Sequence, residues 1–232
     1  MSTLLARLKA NLDSVQQRME AARGRSSLAA DAVQLLAVTK YVPLEAVEAL
    51  AELGITHVGE SRPQQLLERA AWRPDLHWHL IGHLQRNKVR AVLPQIELIH
   101  SVDSVRLLKR IDEIAAELAL RPRVLLEVNV SGETVKDGFE PGSLREAWPE
   151  ILQCQHLELA GCMTMAPHHA SAENLRAVFR NLRALRDELQ SHPASPPLPE
   201  LSMGMSDDFE VAIEEGATIV RLGSVLFENC DL

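Results

Sequence analysis

The chain has 232 residues, 46% of them hydrophobic and 24% charged, with a formal net charge of −8. That length can bury a full core, and the acidic balance argues against a broad nucleic-acid footprint, where a basic face is expected. No apolar run is long enough for a transmembrane helix, the N-terminal stretch lacks signal-peptide architecture, and aromatic residues, at 3%, leave little material for stacking unpaired bases.

Leu4, Leu5, Leu8, Leu12, Val15 and Met19 recur at helical spacing, so a helix is predicted over Leu4–Ala22, followed by a loop over Arg23–Ala30. Strand-like and helix-like segments then alternate. Leu35–Thr39 reads as a strand and Pro43–Leu53 as a helix, with Pro43 early and Gly54 just after it. Thr56–Gly59, Leu76–Ile81, Leu98–Ser101, Val124–Val130, Leu157–Met163, Leu201–Met203 and Ile219–Leu222 read as further strands. Between them, helices are predicted over Pro63–Ala71, Asn87–Val92, Val105–Ala119, Ser143–Leu152, Ala172–Leu189 and Asp207–Glu214, the last with Asp207 as its cap.

Eight strands in alternation with helices predict an α/β fold, a single (βα)8 TIM-type barrel with an extra N-terminal helix. An open doubly wound sheet explains the same segments but does not require so regular a count. The Pro-rich Ser191–Pro199 stretch is short and reads as a loop, so residues 1–232 are taken as one domain. Cys154, Cys162 and Cys230 form no CxxC and no repeated spacing, which predicts reduced cytosolic thiols with Cys162 buried in a strand.

Barrel chemistry gathers at the C-terminal ends of strands. Those ends carry Lys40; Gly59-Glu60-Ser61; His79 through His83; Ser101 and Asp103; Asn129 with Ser131-Gly132-Glu133, then Lys136 and Gly138; Met163 and Thr164; Met203 through Ser206; and Arg221 with Gly223 and Ser224. The Met203–Ser206 turn opens a predicted helix, and Gly223-Ser224 lies at the neighbouring strand end, where barrels frequently hold phosphate. Asp207 and Asp208 oppose an anion unless they turn to solvent. The alternative is a plain capped helix and a glycine turn.

A partly desolvated Lys40 amine is a nucleophile toward an aldehyde. With a phosphate site across the barrel, pyridoxal phosphate and a sugar-phosphate aldehyde both fit. Arg221 discriminates: its guanidinium could meet a pyridine nitrogen, donating a hydrogen bond without protonating the ring. Otherwise it pairs with a carboxylate such as Glu60 or Glu127. His77 and His79 share a strand face, but no HExxH and no spaced carboxylates accompany them, so no metal site is predicted.

The set Ala37-Val38-Thr39-Lys40, His57–Ser61, Trp78–Lys88, Asn129–Glu133 with Lys136-Asp137-Gly138, Gly161–Met165, Leu201–Asp208 and Val220–Gly223 resembles the YggS/PROSC family of pyridoxal phosphate homeostasis proteins. The resemblance spans nearly the whole chain in order. It implies a barrel like the N-terminal domain of alanine racemase, with Lys40 carrying the internal aldimine. Ser206 and the backbone at Gly223-Ser224 would hold the phosphate, and Arg221 would face the ring nitrogen. Ser61, His79, Asn129 and Met163 are candidate neighbours of the cofactor. Ser61 stands where the family often has Asn, which puts one contact in question.

The resemblance further implies cofactor buffering without efficient turnover; the expected compartment is the cytoplasm, with pyridoxal phosphate as partner and, from the composition, no nucleic acid or membrane. A further reading is an interaction protein that hands the cofactor to apo-forms of pyridoxal-phosphate enzymes. Two enzyme readings stand beside it. An amino-acid racemase needs a second base opposite Lys40, and the only tyrosine, Tyr41, is adjacent to it; the chain ends soon after its eighth strand, leaving no β domain and favouring a monomer. A Schiff-base sugar-phosphate aldolase or isomerase would need Glu60 or His79 for proton transfer.

Overall fold

The computed structural model describes residues 3–26, 33–131, 137–167 and 169–230. Eight parallel strands close into a barrel in sequence order. They are β1 (Gln34–Val38), β2 (His57–Glu60), β3 (His77–Leu80), β4 (Leu98–Val102), β5 (Arg123–Glu127), β6 (Glu158–Met163), β7 (Glu200–Ser202) and β8 (Ile219–Leu222). The outer helices are α1 (Thr3–Arg25), α2 (Leu44–Glu52), α3 (Pro63–Trp72), α4 (Val89–Val92), α5 (Val105–Leu118), α6 (Pro141–Ile151), α7 (Ala172–Gln190) and α8 (Phe209–Glu214).

The apolar strand residues that face outward pack under the helices in one continuous cluster. A smaller cluster of Leu36, Leu98, Leu125, Ala160, Met163 and Ile219 fills the barrel itself. This division is what a closed barrel imposes on a period-two strand, since each strand has one face in and one face out. The N-terminal mouth is crossed by Arg123, which donates to Glu158 at 3.2 Å and to Glu200 at 3.1 Å.

Three of the boundaries that differ from the sequence expectation are set by identifiable partners. α1 continues through Arg25, where Arg25 pairs with Glu214 at 2.7 Å. β5 stops at Glu127 because the chain returns at Phe139, which bridges Val128 and exchanges hydrogen bonds with Glu127 and Asn129. Gly138 permits that return: its φ is +111°, and a Cβ there would lie 3.0 Å from the Glu127 carbonyl oxygen. α8 starts only at Phe209. Asp207 is exposed and does not cap it; Asp208 is buried and occupies the cap position, with its Oδ1 turned back to accept from the Met205 N–H at 2.5 Å. β6 also carries a bulge: the register shifts so that Leu125 pairs with Gly161, and a Cβ on Gly161 would sit 1.9 Å from the Glu200 carbonyl oxygen.

Candidate functional site at the C-terminal mouth

β8 pairs with β1 on one side and β7 on the other, which sets three predicted residues on adjacent strand ends. Lys40 lies two residues past β1 and is half-buried. Arg221 lies inside β8, opposite Leu36 of β1, and is 4% exposed. Ser206 lies in the turn after β7 and is half-buried.

The turns after β7 and β8 meet at Ser206. Its hydroxyl oxygen accepts from the Gly223 and Val225 N–H groups, each at 3.3 Å. Two backbone donors thus converge on one small oxygen at the long end of hydrogen bonding, an arrangement suited to an anion. The second donor to the Ser206 oxygen is the Val225 N–H, and Ser224 stands exposed between the two donors. Both donors belong to the turn after β8, and α8 begins only three residues beyond Ser206, so no helix end supplies them.

Arg221 donates to the Ser202 carbonyl at 2.8 Å, to the Ser202 hydroxyl at 2.7 Å and to the Thr164 carbonyl at 2.9 Å. Among the described residues no carboxylate lies in salt-bridge contact with it. Glu60 is committed to Arg69 instead, while Glu127 and Asp208 act on Arg221 only as nearby charges. Burial pulls the Arg221 guanidinium down to about 10, which still leaves it charged at neutral pH.

The Lys40 turn is held by a residue that the sequence did not single out. Arg69 of α3 donates to the Thr39 carbonyl at 2.6 Å and to the Val42 carbonyl at 2.7 Å, on either side of Lys40-Tyr41. Its charge is met by Glu60, which is wholly buried, at 3.3 Å. The Arg69 N–H nearest Glu60 Oε2 is aimed at Thr39, so that contact is an ion pair without a directed hydrogen bond. Glu60 Oε1 accepts from the Ser61 N–H at 2.7 Å, which ties the β2 turn to the β1 turn.

The remaining candidates are more scattered. Ser61 packs its backbone against Gly82, where a Cβ would lie 2.3 Å from the Ser61 oxygen. Asn129 is buried past β5 and accepts from the Ser131 hydroxyl at 3.0 Å. Met163 belongs to the inner apolar cluster. His79 sits mid-barrel between His57 and His100, 3.0 Å from each. Gly132, Glu133, Lys136 and His168 lie outside the described residues. The 82–88 loop lines an open groove of about 460 Å³ with Asp103 and Arg106, and Lys40, Ser206 and Arg221 are not part of that lining. No cluster of metal-ligating side chains occurs among the described residues. Burial pushes the Cys162 thiol up to about 12 and the Cys154 thiol up to about 11, far from a thiolate nucleophile at neutral pH.

Glu127, at the end of β5, is a further buried carboxyl of this mouth, besides Glu60 and Asp208. Burial first, then the charges of Asp103 and Asp137, raise it to about 7. The folded protein therefore binds more protons than the unfolded chain between about pH 4.5 and 7, and stability falls as pH rises through that window. Glu127→Gln should remove this dependence. Urea unfolding at pH 5 and pH 8 should show the variant gaining on the parent by up to about 3 kcal/mol at the higher pH. Parallel pH profiles for the two proteins would contradict it.

Fold and site together define a barrel of the alanine racemase N-terminal type, with a lysine after β1 and two backbone N–H donors converging on Ser206 where the turns after β7 and β8 meet. The family model for the alanine racemase N-terminal domain matches residues 5–229. A pyridoxal phosphate homeostasis protein of Aquifex aeolicus is 43% identical over 218 residues, covering 93% of this chain and 95% of that one. PipY of Synechococcus elongatus, solved with PLP (pyridoxal phosphate) bound, superposes with a TM-score of 0.81 at 38% identity, covering 91% of this chain and 98% of that one. A protein of unknown function from Bifidobacterium adolescentis superposes at 0.90 with 33% identity, covering 98% and 97%. The chain belongs to the YggS/PROSC family of pyridoxal phosphate homeostasis proteins.

Proposed function

We propose that this chain binds pyridoxal phosphate at the C-terminal mouth and holds it through a covalent link to Lys40, without efficient turnover. The observation that carries the reading is the adjacency of the Lys40 turn, the Ser206 turn and Arg221 on β1, β7 and β8. The donor set fits the group. The Gly223 and Val225 N–H groups with the Ser206 hydroxyl suit a phosphate, and a charged, buried Arg221 without a contacting carboxylate suits an uncharged ring nitrogen. Bound there, the cofactor supplies an aldehyde to the Lys40 amine. Arg221 donates a hydrogen bond and retains its proton, so the ring is left a weak electron sink.

Tyr41 does not serve as an opposed base, because its side chain points outward and is 78% exposed. Ser61, Asn129 and Met163 remain proposed neighbours of the ring. The same reading takes residues 1–232 as one domain, a monomer that works in the cytoplasm and presents cofactor to apo-forms of pyridoxal-phosphate enzymes. Its net charge of −8 favours dispersed copies. Among the described residues no helix is long and apolar enough to cross a membrane.

Adding pyridoxal phosphate to the purified protein should produce a near-visible band that survives desalting. Single enantiomers of several amino acids should then keep their optical purity. A colourless protein would overturn the binding assignment, and rapid racemisation would overturn the absence of turnover.

A further inference from the structure

Five side chains form a continuous polar thread through the barrel. Arg221 Nη1 donates to Ser202 Oγ at 2.7 Å. Ser202 Oγ lies 2.8 Å from His100 Nδ1, His100 Nε2 lies 3.0 Å from His79 Nδ1, and His79 Nε2 lies 3.0 Å from His57 Nδ1. Ser202, His100 and His79 are buried; His57 is half-buried beside His77, whose ring stacks on it at 4.5 Å. The thread starts under the proposed cofactor ring and ends among the first residues of β2 and β3, at the opposite mouth.

Its direction follows from Arg221. A guanidinium only donates, so Ser202 Oγ accepts from it; the hydroxyl proton then goes to His100 Nδ1, the other side-chain group in hydrogen-bond contact with Ser202 Oγ. A neutral imidazole that accepts at Nδ1 carries its proton at Nε2. His100 therefore donates to His79, and His79 to His57. An imidazolium at His79 would set its Nδ1–H against the Nε2–H of His100. The groups around the thread agree. His79 is faced by His57, His77 and Arg123, and His100 by His79, Arg221 and Arg123, so each meets burial and positive charge, and His79 is pulled down to about 3. His57 meets His77, Arg123 and the carboxylate of Glu97, with burial the largest influence, and is also lowered.

We propose that Ser202, His100, His79 and His57 form a one-way chain of neutral Nε2–H imidazoles that positions the Arg221 guanidinium and keeps it charged. Every acceptor lone pair in the chain points toward Arg221, so the summed dipole favours the cation that burial disfavours. The buried Arg221 thereby gains stabilisation without a contacting carboxylate. These are positioning residues for the ring end of the site, and this role rests on the cofactor reading given above.

Nitrogen-15 NMR of the histidine rings in the cofactor-free protein tests the chain itself. At pH 7, His57, His79 and His100 should all show the Nε2–H tautomer, and His79 and His100 should not titrate between pH 5 and 8. An Nδ1–H tautomer or an imidazolium at His79 or His100 would overturn the proposal. Ser202→Ala tests the link to Arg221. In the cofactor-free variant the Arg221 guanidinium resonances should shift and His100 should lose its single tautomer, with the melting temperature lowered by the two buried hydrogen bonds lost. On adding pyridoxal phosphate, the variant should bind about tenfold more weakly, the loss expected for one hydrogen bond to a charged group, with a displaced absorption band. A variant that binds like the parent with an unchanged band would also overturn it. A parent protein that takes up no pyridoxal phosphate would defeat the proposed function alone, since the tautomer result would stand without it.

Discussion

Lys40→Ala should abolish covalent capture of pyridoxal phosphate while leaving the fold intact. After borohydride reduction and tryptic digestion, the parent should carry the label on the Lys40 peptide and the variant should carry none. The two effects separate because Lys40 contributes little to stability. It is half-buried at a turn, and its contact with another side chain is the approach of Nζ to the Tyr41 ring, 5.1 Å from the centroid. An exposed cation–π contact of that kind is worth about 1 kcal/mol or less. The variant should therefore melt close to the parent. Ser206, the Gly223 and Val225 N–H groups and Arg221 remain to hold the phosphate and ring, so residual binding should persist, weakened on the order of a hundredfold, or roughly 2.7 kcal/mol. Undiminished labelling of the variant at another lysine would remove Lys40 from the site. A collapse in melting temperature would instead assign the turn a structural role.

The barrel was legible because its signals are local. Each strand is a short apolar run, each helix has its own periodicity, and eight alternations leave few topologies. The boundaries that shifted are those set by distant partners. β5 was expected to reach Val130, yet Phe139, ten residues and more downstream, takes over the pairing at Val128. α8 was expected from Asp207, yet Asp208 turns its carboxylate back to Met205.

The site divided in the same way. Lys40, Arg221 and Ser206 were visible as polar residues at or beyond the ends of apolar strands. Val225 contributes an N–H, and a backbone donor leaves no trace in residue type. His57 and His100 did leave one. Each is a polar residue in the inward phase of a strand, alternating with outward apolar neighbours such as Val58 and Ile99. That phase, read across β2, β3 and β4, would have grouped them with His79. What it could not show is which rings meet across the barrel, since strand tilt and stagger set that. Arg69 had no such signal. It is one of several arginines on helical surfaces, and only the folded chain brings it against Glu60 and the carbonyls of Thr39 and Val42.

Arg69→Met should cost about 3–5 kcal/mol, because it strands Glu60 as an unpaired charge in a site with no exposure to solvent. Two carbonyls flanking Lys40 lose the Arg69 donor at the same time, and these costs overlap because one guanidinium serves all three partners. Adding Glu60→Gln should separate the contributions. The amide oxygen can still accept from the Ser61 N–H, and the buried charge is gone, so the double variant should recover much of the stability in urea unfolding. The Lys40 turn is not repaired by that change, since the Val42 carbonyl loses its Arg69 donor and the Thr39 carbonyl keeps only the Val42 N–H at 3.2 Å. Retention of pyridoxal phosphate after desalting should stay low in the double variant even where its stability approaches that of the parent. If stability and cofactor retention recover together, Arg69 acts on the site only through the fold. If Arg69→Met alone unfolds within about 1 kcal/mol of the parent, Glu60 is not the charged partner that the geometry makes it. The expected split between the two recoveries places Arg69 where its bonds already put it, between the buried carboxylate that neutralises it and the turn that aims Lys40.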